Sequence, residues 1–387
     1  MNSRQMRYIS ISRLLSILII PAALLASAAL AAPIRAPQVA VSMPQTNAPD
    51  FRWAANDTHL VYTLDNPLQF PPGALCDCSG PPFSDFRVRF FDRQLHATPT
   101  GITASNPRLF FTARRGLHVE LFAVARGWAI YQAFPASKQP DAPGPWELIA
   151  HNLSTRKELV LDSSDAEGLA SVGAVASTDG RSVAWSTWTR GGQSVVRTYD
   201  LLAAQRRLVA RGGSPTTWSY VSAQISGHKV VFTKEAHGYQ QIMLADSQTG
   251  KVRSLTSTTG WGSQPTVSGD VVAWKDGLRF GTGKGVVIFN VRTGARQEVR
   301  SAGAEAPRAT AGRYILFTSG NPDNQGDRQV HLYDARAGAD RLLFKPENGW
   351  STGTVLRLGG RTAAYLEAKS STQPGHDTVR LMVVRLP

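Results

Sequence analysis

Three tryptophans recur in one phase ahead of a glycine: Trp218 nine residues before Gly227, Trp261 eight before Gly269 and Trp350 ten before Gly360. Flat amphipathic rings at such a phase suit sugar faces or peptide side chains. The same phase serves packing between repeated units, and the burial habit of large aromatics favours that use. The eight histidines are scattered singly, and a tandem fold could bring His118, His151, His228, His237 and His331 to one face. His237 and His376 fall in loops and lead the histidine candidates for ligand binding, against the ordinary role of a solvated loop histidine. Asp323, Gln325 and Asp327 alternate along Asn321-Pro-Asp-Asn-Gln-Gly-Asp327 in a loose likeness to calcium-ligating runs. No glutamate follows at the closing spacing, so a polar hairpin loop accounts for them. Cys76 and Cys78 are the only cysteines, and in an oxidising compartment they are a disulfide candidate, though so small a ring is strained. A metal would need two further ligands, and neither His59 nor His96 stands at a zinc spacing.

Other chemical signatures are sparse. The chain has no Gly-x-Ser-x-Gly elbow, no His-Glu-x-x-His pair and no phosphate-cradling glycine loop, and Gly281-Thr-Gly283-Lys-Gly285 lacks the strand-to-helix setting of a nucleotide site. No cofactor is implied. Lysine and arginine outnumber the acids, giving a formal charge of +14. A nucleic-acid arm would concentrate that charge, but the longest basic clusters are the pairs Arg114-Arg115 and Arg206-Arg207. Dispersed charge of this kind reads as solvated surface, so a nucleic-acid partner is not expected.

Position in the cell is written at the start. Residues 1–13 hold Arg4, Arg7 and Arg13 without an acid, and an apolar stretch from Leu14 to Ala31, broken by Pro21, follows. Ala29 and Ala31 stand at the −3 and −1 positions of a cut before Ala32, the three-part pattern of a secretory signal. An uncleaved anchor is the rival, but the internal proline and alanine-rich end fit a signal better. The expectation is therefore a signal peptide over 1–31 and a periplasmic or extracellular protein with no later membrane-crossing segment.

The elements that must position these residues come from a repeat. A polar turn, a β-branched run and an aromatic recur as Gly127-Trp-Ala-Ile-Tyr131, Gly180-Arg-Ser-Val-Ala-Trp185, Gly227-His-Lys-Val-Val-Phe232, Gly269-Asp-Val-Val-Ala-Trp274, Gly312-Arg-Tyr-Ile-Leu-Phe317 and Gly360-Arg-Thr-Ala-Ala-Tyr365. A weaker copy is Asp57-Thr-His-Leu-Val-Tyr62. Each copy is followed by a run ending in Asn152, Asp200, Asp246, Asn290 or Asp334, with Asp92 as the first-copy candidate. Gly250, Gly294 and Gly338 sit four residues beyond three of these, and a third run follows. An Asp-x-x-x-Gly between β-rich runs is hairpin chemistry, and with the short run before each glycine it gives four strands per unit. Tandem four-stranded units of about 40 to 50 residues describe β-propeller blades.

These phrases, as in Pro265-Thr-Val-Ser-Gly-Asp-Val-Val-Ala-Trp274, resemble the TolB-like propeller repeats of bacterial and archaeal surface proteins, well over 120–387 and poorly over 50–119. The resemblance implies the fold and not a partner, and TolB's N-terminal α/β domain has no counterpart here. The expected fold class is all-β, a β-propeller of four-stranded antiparallel blades. Seven blades fit the copies, and six fit if 50–119 is a cap. Residues 32–50 are the N-terminal segment, in which Gln38 to Met43 would close the ring. Residues 51–387 form the single propeller domain, with 51–119 a divergent first blade carrying inserts at Pro67–Pro82 and Pro99–Gly116.

The function that follows is a monomeric binding or scaffold protein recognising a protein, peptide or cell-wall glycan on its channel face. A carbohydrate-active propeller enzyme, of lyase or glycosidase type, is the alternative. Catalysis is the less favoured of the two.

Overall fold

The computed structural model describes residues 37–44, 52–64, 87–98, 101–114, 116–135, 145–164, 175–213, 218–236, 239–257, 261–277, 285–299, 304–320, 328–345, 350–369 and 378–386. Every regular element among them is a β-strand. The repeated phrase builds the hairpin between the first two strands of a blade: its glycine takes positive φ, as at Gly227 (61°) and Gly269 (57°), and the β-branched run forms the second strand. The third and outer strands are joined by a turn in which the side-chain oxygen of Asn152, Asp200, Asp246, Asn290 or Asp334 accepts two amides of the turn itself.

Seven antiparallel sheets result, arranged as a seven-bladed β-propeller. Blade 3 shows the pattern, with Val175–Thr178 innermost, then Ser182–Trp188, Ser194–Asp200 and, outermost, Gln205–Arg211. Blade 7 takes three strands from the C-terminal part of the chain and its outer strand, Gln38–Pro44, from the N-terminal part. Gln38 faces Val383 and Pro44 faces Thr378, so the ring closes through main-chain hydrogen bonds between the two ends of the described chain. Blade 1 departs from its sequence reading. The segment read as a second insert supplies strands Gly101–Ala104 and Arg108–Thr112, both paired to the long third strand Arg89–Thr98.

Among the described residues there is no central core. Seven separate apolar clusters lie one between each pair of neighbouring blades. Trp185 fills the cluster of blades 2 and 3, Trp274 that of blades 4 and 5, and Phe317 that of blades 5 and 6. The aromatic that ends each phrase is thus the plug of an inter-blade seam.

Because all blades run the same way, the ring has two unlike faces. One, the turn face, carries the tight turns between strands one and two and between three and four. The other, the loop face, carries the second-to-third loops and the segments entering each innermost strand. On the turn face neighbouring blades are stitched together. Asp179 Oδ2 accepts the Gly227 amide (2.6 Å), Ser226 Oγ that of Gly269 (2.9 Å) and Ser268 Oγ that of Gly312 (2.7 Å). Across the closure Asp57 Oδ1 accepts the Arg361 amide at 2.7 Å.

Gly250, Gly294 and Gly338 have counterparts in blades 2 and 3 that are not glycine: Arg156 (φ 60°) and Ala204 (φ 51°) hold the same left-handed backbone. An L-residue there costs about 1 kcal/mol. Arg156→Gly and Ala204→Gly should each raise stability by roughly that amount in equilibrium denaturation. A lowered midpoint for both would show that the turns are held by other means.

Candidate functional site

The channel is lined by the innermost strands, and most of them are bulged at one level. Register shifts fall between Leu121 and Ala123, Val221 and Gln224, Ser263 and Thr266, and Pro307 and Ala309, each beside the aromatic of the second strand. A bulge residue has no cross-strand partner. Ser222, Gln264 and Arg308 are exposed or half-buried in strands flanked by blades on both sides, so they border the channel, whereas Phe122 packs against the apolar seam of blades 2 and 3. Ser222 (φ 57°) and Gln264 (φ 51°) take the left-handed conformation to do so. Arg308 Nη1 donates to Gln264 Oε1 at 3.2 Å, linking blades 5 and 6. Arg52 Nε meets Glu120 Oε2 at 2.8 Å between blades 1 and 2.

Arg357 crosses a whole blade. From the innermost strand of blade 7 its guanidinium passes over the Trp53 ring of blade 1 (5.7 Å) and donates to the Phe122 carbonyl of blade 2 (3.0 Å) and to its own Leu356 carbonyl (3.2 Å). Burial lowers its pKa to about 10, opposed by Glu120. The innermost strand it passes is only three residues long, Trp53–Ala55. Arg357 therefore braces the ring where the inner wall is thinnest.

At the loop face, Trp218 opens an innermost strand opposite Ala236, Trp350 opens another opposite Lys369, and Trp261 directly precedes Gly262, which pairs with Asp276. Trp261 is half-buried against Tyr239 (centroids 6.3 Å apart). Trp350 is half-buried with the Arg380 guanidinium 4.1 Å from its centroid and the Lys369 ammonium at 5.9 Å. Beside them Glu367 is buried, which raises its carboxyl above the ordinary range while Arg380 opposes. His237, His376, Cys76, Cys78, Asp323, Gln325 and Asp327 lie outside the described residues, as does the 1–31 leader. Among the described residues no three His, Cys, Asp or Glu side chains are placed to hold a metal.

The four of these histidines that are described, His118, His151, His228 and His331, do not converge. His118 is buried against Phe134 (4.2 Å), His151 is packed between Phe110 and Phe111, His228 stands on the turn face beside Asp246 and His331 is in blade 6. His331 forms a relay absent from the sequence reading: Ser319 Oγ lies 2.8 Å from Nε2, and Asp340 Oδ1 lies 3.1 Å from Nδ1. This is a hydrogen-bond order able to draw a proton from a hydroxyl. The three residues come from adjacent strands of one sheet, and Ser319 is only 4% exposed. His331 stacks on Phe317 at 4.9 Å, so the relay stitches blade 6. A second network joins blades 2 and 3: buried Asp162 accepts Trp185 Nε1 (2.9 Å), Arg197 Nη1 (3.3 Å) and Arg206 Nη1 (3.0 Å). Burial pushes the Asp162 carboxyl up and these donors oppose it. Arg197 and His331 each face the blade's aromatic across strands, where Ile149, Met243 and Val287 stand elsewhere. A polar residue in an apolar column of the repeat was the sequence signal for both.

No family and no curated protein matches the chain at the level of sequence. Solved structures match it in fold. The β-propeller domain of the Trilobed protease from Pyrococcus furiosus is 10% identical with a TM-score of 0.54, over 90% of this chain and 96% of that one. That domain has an open velcro topology, whereas here an N-terminal strand completes the last blade. A prolyl endopeptidase is 10% identical with a TM-score of 0.56, over 86% of this chain; the chain spans about half (49%) of its length. TolB from Acinetobacter baumannii is 13% identical with a TM-score of 0.39, over 69% of this chain and 80% of that one. The likeness is one of fold.

Asp162→Ala should cost about 3 to 5 kcal/mol, because it strands the Arg197 charge in a seam; a loss below about 1 kcal/mol in chemical denaturation would show the network to be dispensable. His151 supplies a pH dependence. Burial lowers its pKa, with Glu158 (3.9 Å) opposing, so the unfolded chain takes up a proton near pH 6.5 that the folded one resists. Stability should hold above about pH 6.5 and decline below it, and His151→Phe should flatten that decline. An unchanged slope in the variant would assign the effect elsewhere.

Proposed function

We propose that this chain is an exported β-propeller that binds a protein, peptide or cell-wall glycan over its channel mouth and loop face, as a binding or scaffold protein rather than a catalyst. The observation that carries this reading is the bulge ring. Ser222, Gln264 and Arg308 offer a hydroxyl, an amide and a guanidinium at one level, from three blades. Such a mixed wall suits recognition by several weak contacts. Trp218, Trp261 and Trp350, at the same end of three innermost strands, extend it towards the loops. Export is supported by the basic, apolar and Ala-x-Ala pattern of residues 1–31.

A carbohydrate-active enzyme would call for a free pair of carboxylates at a suitable separation. In the channel wall Glu120 is engaged by Arg52, and Ser319 of the blade 6 relay is buried. Both features favour binding.

Gln264→Ala and Arg308→Ala together should weaken binding to the hits of a glycan and peptide array by about tenfold or more, with little change in thermal midpoint. Trp261→Ala and Trp350→Ala separate recognition from packing, since loss of a buried ring would cost about 3 to 5 kcal/mol. Undiminished binding by the channel variant would refute the site. New reducing ends or unsaturated termini released from a polysaccharide by the wild-type protein would refute the non-catalytic assignment.

A further inference from the structure

The positive charge that looks dispersed along the chain is gathered by the fold. Arginines and lysines far apart in the chain occupy corresponding turns, and the ring sets them on one face. Arg126, Arg156, Lys157, Lys251, Arg336 and Arg361 are exposed there, and none has a carboxylate partner among the described residues. The acids of the same turns are turned inward: Asp179, Asp200 and Asp334 are buried or half-buried with oxygens committed to turn amides. The exposed acids Asp57 and Glu158 are also engaged, by the Arg361 amide and the Tyr131 hydroxyl. Amid this layer of cations Leu202, at the tip of the blade 3 turn, is 80% exposed, the most exposed large apolar side chain described.

We propose that the turn face docks on anionic lipid bilayers. A broad face of cations with one protruding leucine matches a charged headgroup layer above hydrocarbon. Single-stranded nucleic acid would call for exposed rings on which to stack bases. The described exposed aromatic, Tyr239, begins a third strand at the opposite end of its blade. The inference is independent of what the channel binds.

The test is co-sedimentation of the chain from Ala32 onward with vesicles of phosphatidylcholine alone or mixed with phosphatidylglycerol, at low and at high salt, and the readout is the difference between the two kinds of vesicle. The wild-type protein should prefer the anionic vesicles at low salt and lose that preference at high salt. Combining Lys157→Gln, Lys251→Gln, Arg336→Gln and Arg361→Gln should cut the preference by at least about tenfold. Leu202→Ser should weaken binding at both salts. Lys275→Gln with Lys345→Gln, at the loop-face end, should leave it unchanged, and circular dichroism confirms that each variant is folded. The proposal fails if there is no anionic preference, if the two sets of lysine and arginine variants lose it equally, or if a single-stranded oligonucleotide displaces the protein from the vesicles.

Discussion

Each sheet of this protein is apolar on both faces, and that constraint organises everything else. A lone blade would expose two apolar surfaces, and a stack of blades would leave two at its ends, so only a ring satisfies all of them. The seven seams follow from it. So does the placing of polar chemistry. With seams filled, charged groups must either lie on the two faces, border the channel, or enter a seam fully paired, as Asp162 does with Trp185, Arg197 and Arg206.

The ring is not uniform. Blades 3 to 6 are linked by serine or aspartate oxygens to the next blade's glycine amide, but Ala311 in blade 6 has no oxygen to offer blade 7. Near the closure other devices take over. Asp57 reverses the polarity of the link, accepting from blade 7 rather than passing forward, and Gly359 is obliged to lack a Cβ because one would fall 2.4 Å from Asp57 Oδ1. Arg357 spans the shortest innermost strand by binding a carbonyl two blades away. The stretch from blade 7 to blade 2 is therefore held by long-range polar contacts where the other blades rely on repeated local ones.

Much of this was legible in the chain because a propeller repeats its instructions. The phrase ending in an aromatic marks the second strand, the Asp or Asn with Gly four residues on marks the outer hairpin, and Gln38 to Met43 was the expected closing strand. The outer strand of blade 1 was hidden because Arg108–Thr112 is preceded by no Asp-x-x-x-Gly turn. The bulge ring was hidden for a deeper reason. Whether Ser222 or Gln264 is an extra residue depends on register against a partner strand, and single-strand patterning carries no register. The Asp162 network left a trace only in Arg197, a polar residue in an apolar column, and the Arg357 brace left none, because their partners belong to other blades. Charge follows the same rule: cations dispersed along the chain share one exposed surface once the period of the repeat is wrapped into a ring.

The closing strand also sets an order in time. Gln38–Pro44 leaves any translocation pore or ribosome before the other described strands and its partner Thr378–Arg385 after them, so the ring cannot be sealed until the strands of all seven blades have emerged. Bringing those ends together carries the full loop-closure entropy of the chain, and folds so rich in distant pairings assemble slowly. Until then Thr378–Arg385, or its absent partner, leaves a strand edge open to any neighbouring chain. A protein built this way passes through its most aggregation-prone moment just before completion, and its yield will depend on how dilute, or how well chaperoned, that last step is kept.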